Sequence, residues 1–158
     1  MDRAAHDEAM MNLVRNHRAV PGSIEIFGHK QVAGHAVLVA RWTDERTRLV
    51  RRGAVDVSVH DGAWVGDGGW SMSADQDFRH PVWAAWGGTM HSTSGWVSDP
   101  GAAEVRLRAP DGRVESATVE NGVAILIYED VFHRDSAVEL LDAEGAVRGT
   151  GPLYGRVR

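Results

Sequence analysis

The chain of 158 residues contains no cysteine and only one lysine, Lys30. The absence of cysteine excludes disulfide bonds and thiolate chemistry, although it does not identify the cellular compartment. The sixteen other basic residues are arginine, and together with abundant Ala, Gly, Val and Asp they are typical of a GC-rich bacterial coding sequence. The formal net charge of −5 argues against a general affinity for nucleic acid or for anionic membranes.

Long apolar runs are also missing. No stretch approaches the roughly 18 residues that a membrane-spanning helix needs, so we expect no membrane span. The first sixteen residues, MDRAAHDEAMMNLVRN, carry acids and a histidine where a signal peptide would have an apolar core. The sequence therefore favours a cytoplasmic protein, or a mature form whose leader has been removed.

The pattern of apolar residues changes once, near residue 23. Before that point, residues 3–17 place their apolar side chains near one face and predict a short helix, which Pro21-Gly22 ends. After it the apolar period becomes two, as in strands. We therefore predict an N-terminal helical segment over residues 1–20 and a single β-rich domain over 21–158. Alternatively, the β-rich part consists of two packed halves joined at residues 74–96.

The β-rich part contains about nine short stretches with strand character, separated by turn residues. Residues 37–40 are apolar on both faces and predict a central strand, whereas residues 54–60 alternate between valine and polar side chains. In the second half, Asp-Gly, Asn-Gly and Glu-Gly corners predict three consecutive hairpins. The prediction is a mainly all-β fold, a β-sandwich or immunoglobulin-like meander with a short N-terminal helix.

Residues 95–149 resemble a β-rich module of uncharacterised proteins in GC-rich bacteria. The matching positions follow the same order, from a Gly-aromatic start and Asp-Pro through two turns to a closing Asp-x-x-Gly: Gly95, Asp99, Pro100, Asp111, Gly112, Asn121, Gly122, Asp142 and Gly145. The resemblance covers about a third of the chain. It implies an immunoglobulin-like β-fold and carries over no catalytic residue.

Tryptophan is concentrated between residues 64 and 96. As candidate binding residues we single out Trp64, Trp70, Trp83 and Trp86. In one interpretation they form a platform for sugar rings, and in the other they fill the seam between two β halves. If residues 82–86 form a strand, the odd spacing of Trp83 and Trp86 predicts that they face opposite sides.

Histidine is common but carries no clear chemistry. The two histidines of GHKQVAGH, His29 and His35, flank a predicted turn at residues 31–32 and are expected to meet across a hairpin. No pair has the close spacing of a zinc site, so we predict no metal and no cofactor. Asp56, Ser58 and His60 resemble a triad as written, but alternate side chains of a strand stand about 6.5–7 Å apart. They are predicted to form a solvated strand face.

These observations predict a non-catalytic binding or protein-interaction β-module of unknown ligand. Its partner would be another protein or a small or carbohydrate ligand, bound by the loops near the tryptophans, with His80 and His91 included. The alternative is a small hydrolase or metal-assisted enzyme in which either histidine works beside Asp75 or Asp77. A third interpretation uses the helix at 3–17 as a detachable partner-binding element. The sequence does not predict an oligomeric state.

Overall fold

The change of apolar period near residue 23 marks the start of sheet structure. The computed structural model describes residues 1–130, 132 and 134–154. Strands account for 53% of the chain and helices for 11%, which confirms the all-β prediction and the short N-terminal helix. The elements are, in chain order, α1 (Arg3–Asn16), a 3₁₀ turn (Pro21–Ser23), β1 (Glu25–Val32), β2 (His35–Thr43), β3 (Val50–His60), β4 (Ala63–Ser73), β5 (Trp83–Gly88), β6 (Ser92–Val97), β7 (Glu104–Arg108), β8 (Val114–Thr118), β9 (Val123–Ile127), β10 (Ala137–Leu141) and β11 (Val147–Pro152).

The strands form three antiparallel sheets that stack in layers. The outer sheet has the order β1-β2-β3-β4, the middle sheet β5-β6-β9, and the distal sheet β11-β10-β7-β8. Helix α1 covers the free face of the outer sheet. One apolar core lies between the outer and middle sheets, and a second lies between the middle and distal sheets. The middle sheet is therefore covered on both faces.

Helix α1 is a structural layer. Ala5, Ala9 and Leu13 recur every four residues on one face, are fully buried and pack on the outer sheet. The carboxylate of Asp2 caps the helix by accepting a hydrogen bond from the Ala5 N–H at 2.8 Å. Removing the helix would expose the apolar face beneath it. The described contacts therefore do not support the interpretation of a detachable element.

Strand β2 confirms the prediction of a central strand. It lies between β1 and β3, and its side chains alternate between two cores. Val37 and Val39 face the middle sheet, whereas Ala36 and Leu38 face the helix, and all four are fully buried. A strand that is apolar on both faces therefore marks a covered layer of the fold.

The predicted meander in the second half is wrong at β9. Strands β7 and β8 form the expected hairpin, but β9 pairs with β6, and β10 returns to pair with β7. The reason lies in the apolar faces of β9. Val123 and Ile125 pack toward the outer sheet, and Ala124 and Leu126 pack toward the distal sheet. Such a strand is stable only where both faces are covered.

The segment predicted as a possible join, residues 74–96, contains strand β5 and most of strand β6. No strand occurs at residues 74–82, but β5 and β6 follow at once and form two of the three strands of the middle sheet. Because that sheet packs on the outer sheet, the later strands complete a core begun by the earlier ones. Among the described residues, no helix has the length and apolar character needed to cross a bilayer.

Candidate functional site

Several hairpin ends meet at one end of the molecule and border an open cleft of about 530 Å³. We call it the histidine cleft. The residues that line it are His35, Ser58, Val59, His60, Asp67, Thr89, Met90 and His91. A side depression of about 320 Å³ adjoins it and shares His35 and His91. Its other lining residues are Val32, Ala33, Gly34, Ile127, Tyr128 and Glu129.

A fully buried carboxylate, Asp56, lies beneath this cleft between the outer and middle sheets. Its Oδ2 accepts a hydrogen bond from Thr89 Oγ1 at 2.9 Å and another from Ser92 Oγ. The Nε2 atom of His35 lies 3.6 Å from the same oxygen. The Asp56 carboxylate raises the pKa of His35 above its ordinary value, although partial burial of the imidazole opposes the rise. The site thus contains an imidazole held beside a buried negative charge.

The predicted solvated face of β3 is wrong for Asp56 and Ser58. The alternation along the strand is as predicted, but strand β6 of the middle sheet covers the polar face near Asp56, and both side chains are buried. Ser58 Oγ and His60 Nε2 are 2.9 Å apart, so neighbouring side chains on this face do meet. Asp67 Oδ1 lies 4.0 Å from that same nitrogen. In a triad the carboxylate would contact the other ring nitrogen, so these groups do not form one.

Two imidazoles form the ridge between the cleft and the side depression. The rings of His35 and His91 meet edge to face, with centroids 5.7 Å apart. The backbone of His91 is fixed on both sides, because its N–H donates to Thr89 Oγ1 and its carbonyl accepts from the Tyr128 N–H at 3.0 Å. Of the six predicted binding residues, His91 alone lines the cleft or the side depression.

The role of His35 was missed because the turn between β1 and β2 was misplaced. The turn is Ala33-Gly34, and Ala33 has a positive φ of 49°. His35 therefore pairs with Val32 and His29 pairs with Leu38, so the two histidines do not meet as expected. The useful signal was the glycine at position 34, since two-residue hairpin turns favour glycine.

The central strand of the middle sheet is unusually polar. Ser92, Thr93 and Ser94 are fully buried, and each finds a different partner. Ser92 bonds to Asp56, as described above. Thr93 shares a 2.7 Å hydrogen bond with the hydroxyl of Tyr128, and burial raises the pKa of that tyrosine to about 12. Ser94 Oγ accepts from the indole N–H of Trp70 at 3.2 Å. The bonds of Ser92 and Ser94 tie the middle sheet to the outer sheet, whereas the bond between Thr93 and Tyr128 joins β6 to the end of β9 within the middle sheet.

The tryptophans lie mainly in the seams between layers. Trp64 packs under the helix, Trp70 packs between the outer and middle sheets, and Trp83 and Trp86 pack into the distal core. All of them are buried or partly buried. The predicted opposite orientation of Trp83 and Trp86 is wrong, since their rings stack at 6.4 Å with an angle of 24°. A register irregularity between Trp83 and Ala85 interrupts the alternation of the strand and places both indole rings on the same side.

His80 holds a loop in place. Its Nδ1 accepts hydrogen bonds from the N–H groups of Val82 and Trp83, so Nε2 carries the proton and donates to the Pro152 carbonyl at 2.8 Å. Burial lowers the pKa of His80, which fits this neutral form. Both ring nitrogens are thus engaged by backbone groups that fasten the segment before β5 to the distal sheet.

In the described contacts, neither His80 nor His91 pairs with Asp75 or Asp77 as the enzyme alternative expected. Asp75 bonds to Ser73, and Asp77 contacts Arg79 at 3.2 Å. Within the described part of the chain, no three His, Asp or Glu side chains converge as metal ligands. None of the family models or curated proteins compared with this sequence matches it. The geometry of the histidine cleft is therefore the basis for a functional proposal.

Proposed function

We propose that this protein is a non-catalytic binding module and that the histidine cleft is its ligand site. The observation that carries the proposal is the cleft of about 530 Å³ above the buried Asp56 network. Small-molecule sites have volumes of about 300–1,000 Å³ and combine apolar walls with a few fixed polar groups. The apolar walls are Val59 and Met90 in the cleft, which are 41% and 66% exposed, and Val32 in the side depression, which is 38% exposed. The imidazole of His35, held beside Asp56, supplies a positioned polar group.

A binding role fits the groups better than catalysis does. His35 and Asp56 have the character of a base and its orienting carboxylate, which is the one feature that favours an acid–base enzyme. However, the hydroxyls of Thr89 and Ser92 donate to Asp56, and Ser58 bonds to the exposed His60. Among the described side chains at the cleft, no hydroxyl is hydrogen-bonded to His35. The described side chains therefore supply no hydroxyl nucleophile positioned for His35 to activate.

We further infer that strands β5–β11 form an immunoglobulin-like sandwich. In the constant-type fold the first, second, fifth and fourth strands share one sheet, and the third, sixth and seventh share the other. Counting from β5, the middle sheet holds strands one, two and five, and the distal sheet holds the remaining four. The arrangement differs from the constant type only in that the fourth strand, β8, belongs to the sheet of the third, sixth and seventh strands. Loops at the ends of such sandwiches commonly bind ligands, and the turn at residues 89–91 is one of them.

Nuclear magnetic resonance of the histidine side chains tests the proposal. Small fragments of varied charge are added to the protein, and the imidazole C–H signals are followed. We expect fragments that bind to shift the signals of His35 and His91, and His91→Ala to reduce their binding. His6→Ala is the matched control, since His6 lies on helix α1 away from the cleft. Fragments that shift only other signals, or none at all, would contradict the proposal.

A further inference from the structure

The charges around the cleft point to the class of its ligand. Among the described residues, no lysine or arginine lines the histidine cleft or the side depression. Two carboxylates do line these surfaces, Asp67 in the cleft and Glu129 in the side depression. The buried Asp56 is balanced by His35 when that imidazole is protonated. An anionic ligand would meet two carboxylates and, on the described part of these surfaces, no permanent positive charge.

We propose that the histidine cleft binds an organic ammonium ion, a protonated amine that carries a short apolar group. This inference rests on the proposed function and names its ligand class. The ammonium group has three N–H donors and no acceptor, and the cleft offers the Asp67 carboxylate as a charged acceptor. The apolar group of the ligand lies against Val59 and Met90, which are 41% and 66% exposed.

A divalent metal ion fits the same groups less well. A transition metal held by protein side chains normally needs three or four ligands that converge on one point. Within the described part of the chain, no three His, Asp or Glu residues do so. An ammonium ion needs no such convergence, because hydrogen bonds and the field of one or two carboxylates suffice to hold it.

The bound cation is released as the pH falls and His35 becomes protonated. Among the described residues, the titratable groups at the site are His35 on β2, Asp56 and His60 on β3, Asp67 on β4, His91 in the β5–β6 turn, and Tyr128 and Glu129 after β9. Protonation of His35 adds positive charge at the site of the bound cation. Because Asp56 raises the pKa of His35, binding is strongest above that raised pKa, where the imidazole is neutral.

Calorimetry and histidine NMR with four probes test this inference. The probes are n-hexylammonium, 1-hexanol, hexanoate and Zn²⁺, each added to the full-length protein at pH 7.5 and at pH 5.5. We expect hexylammonium to bind more tightly than the other three, to shift the His35 and His91 signals, and to weaken at the lower pH. Asp67→Asn should weaken hexylammonium about two- to fivefold, the effect of one partly exposed charge pair, without changing hexanol. Asp61→Asn is the matched control, because Asp61 does not line the cleft.

The possible results separate this inference from the proposed function. Tighter binding of hexanoate, hexanol or Zn²⁺ than of hexylammonium overturns the ammonium class, and so does an unchanged affinity in Asp67→Asn. If hexanol or hexanoate nevertheless shifts the His35 and His91 signals, the cleft remains the binding site. If none of the four probes shifts these signals, the ammonium class is wrong, and the fragment experiment decides separately whether the cleft binds any ligand.

Discussion

Replacement of the buried carboxylate, Asp56→Ala, should destabilise the protein strongly. Asp56 is fully buried and accepts hydrogen bonds from Thr89 and Ser92, which belong to the neighbouring layer. A hydrogen bond to a charged group contributes about 1.5–3 kcal/mol, and removing one partner of a buried charged pair costs about 3–5 kcal/mol. The substitution also leaves Ser92 Oγ buried without its acceptor. Part of the loss is offset because a buried charge is removed, so we expect a net loss of about 3–5 kcal/mol.

Urea denaturation at pH 7 measures this loss, with two matched variants. Asp56→Asn keeps a carbonyl oxygen for both hydroxyls and should cost less, about 1–2 kcal/mol. Asp7→Ala removes an exposed carboxylate whose ion pair with Arg3 is 3.7 Å long, and it should change stability by no more than about 0.5 kcal/mol. If Asp56→Ala costs no more than Asp7→Ala, the buried network does not hold the outer and middle sheets together.

Three further substitutions test the layers and the loop. Gly95→Ala should prevent stable folding in thermal denaturation, because the added methyl group would lie 2.6 Å from the Trp86 Cβ. Gly22→Ala is its control and should be nearly neutral, because a methyl group at that position meets open space. Leu13→Ala should cost about 2–5 kcal/mol in urea denaturation, since the Leu13 side chain is fully buried between helix α1 and the outer sheet. A loss below about 1 kcal/mol would mean that the helix contributes little to stability. His80→Ala should speed proteolysis near residues 74–82, because three backbone hydrogen bonds are lost.

Much of the fold was predictable because periodicity and turn residues are local signals. Burial in the observed layers produces the apolar face of the helix and the two-residue period of the strands. It also produces the strand at residues 37–40, which is apolar on both faces. The pairing of β9 was not predictable in the same way, since an Asn-Gly corner reports a turn but not which sheet the next strand joins. That choice is made by long-range burial of Val123 and Ile125.

The candidate site was less predictable than the fold for the same reason. His35 and Asp56 are 21 positions apart in sequence, and their contact depends on the register of β2 and β3. Ser92 reaches Asp56 only because the middle sheet packs on the outer sheet. The alternation of residues 54–60 gave the correct face for Asp56 but no information on whether another layer covers that face. His91 was found because it lies in the loop-rich segment that the tryptophans mark.

The acid–base behaviour of His35 also has a consequence for stability. Because Asp56 raises its pKa in the folded protein, protonated His35 stabilises the fold fully below its unfolded pKa, about 6.5. This contribution is lost as the pH rises through the folded value. Asp56→Asn should therefore remove part of the decline in stability above pH 6.5, which urea denaturation at a series of pH values measures.

The most direct test of the account is an NMR pH titration of the His35 imidazole in the native protein and in Asp56→Asn. A buried carboxylate positions the histidine on the ridge between the cleft and the side depression and favours its charged form. We expect a His35 pKa above the ordinary value of 6.5 in the native protein, and a lower one in the variant. A His35 pKa at or below 6.5, or one that the substitution leaves unchanged, would contradict this expectation.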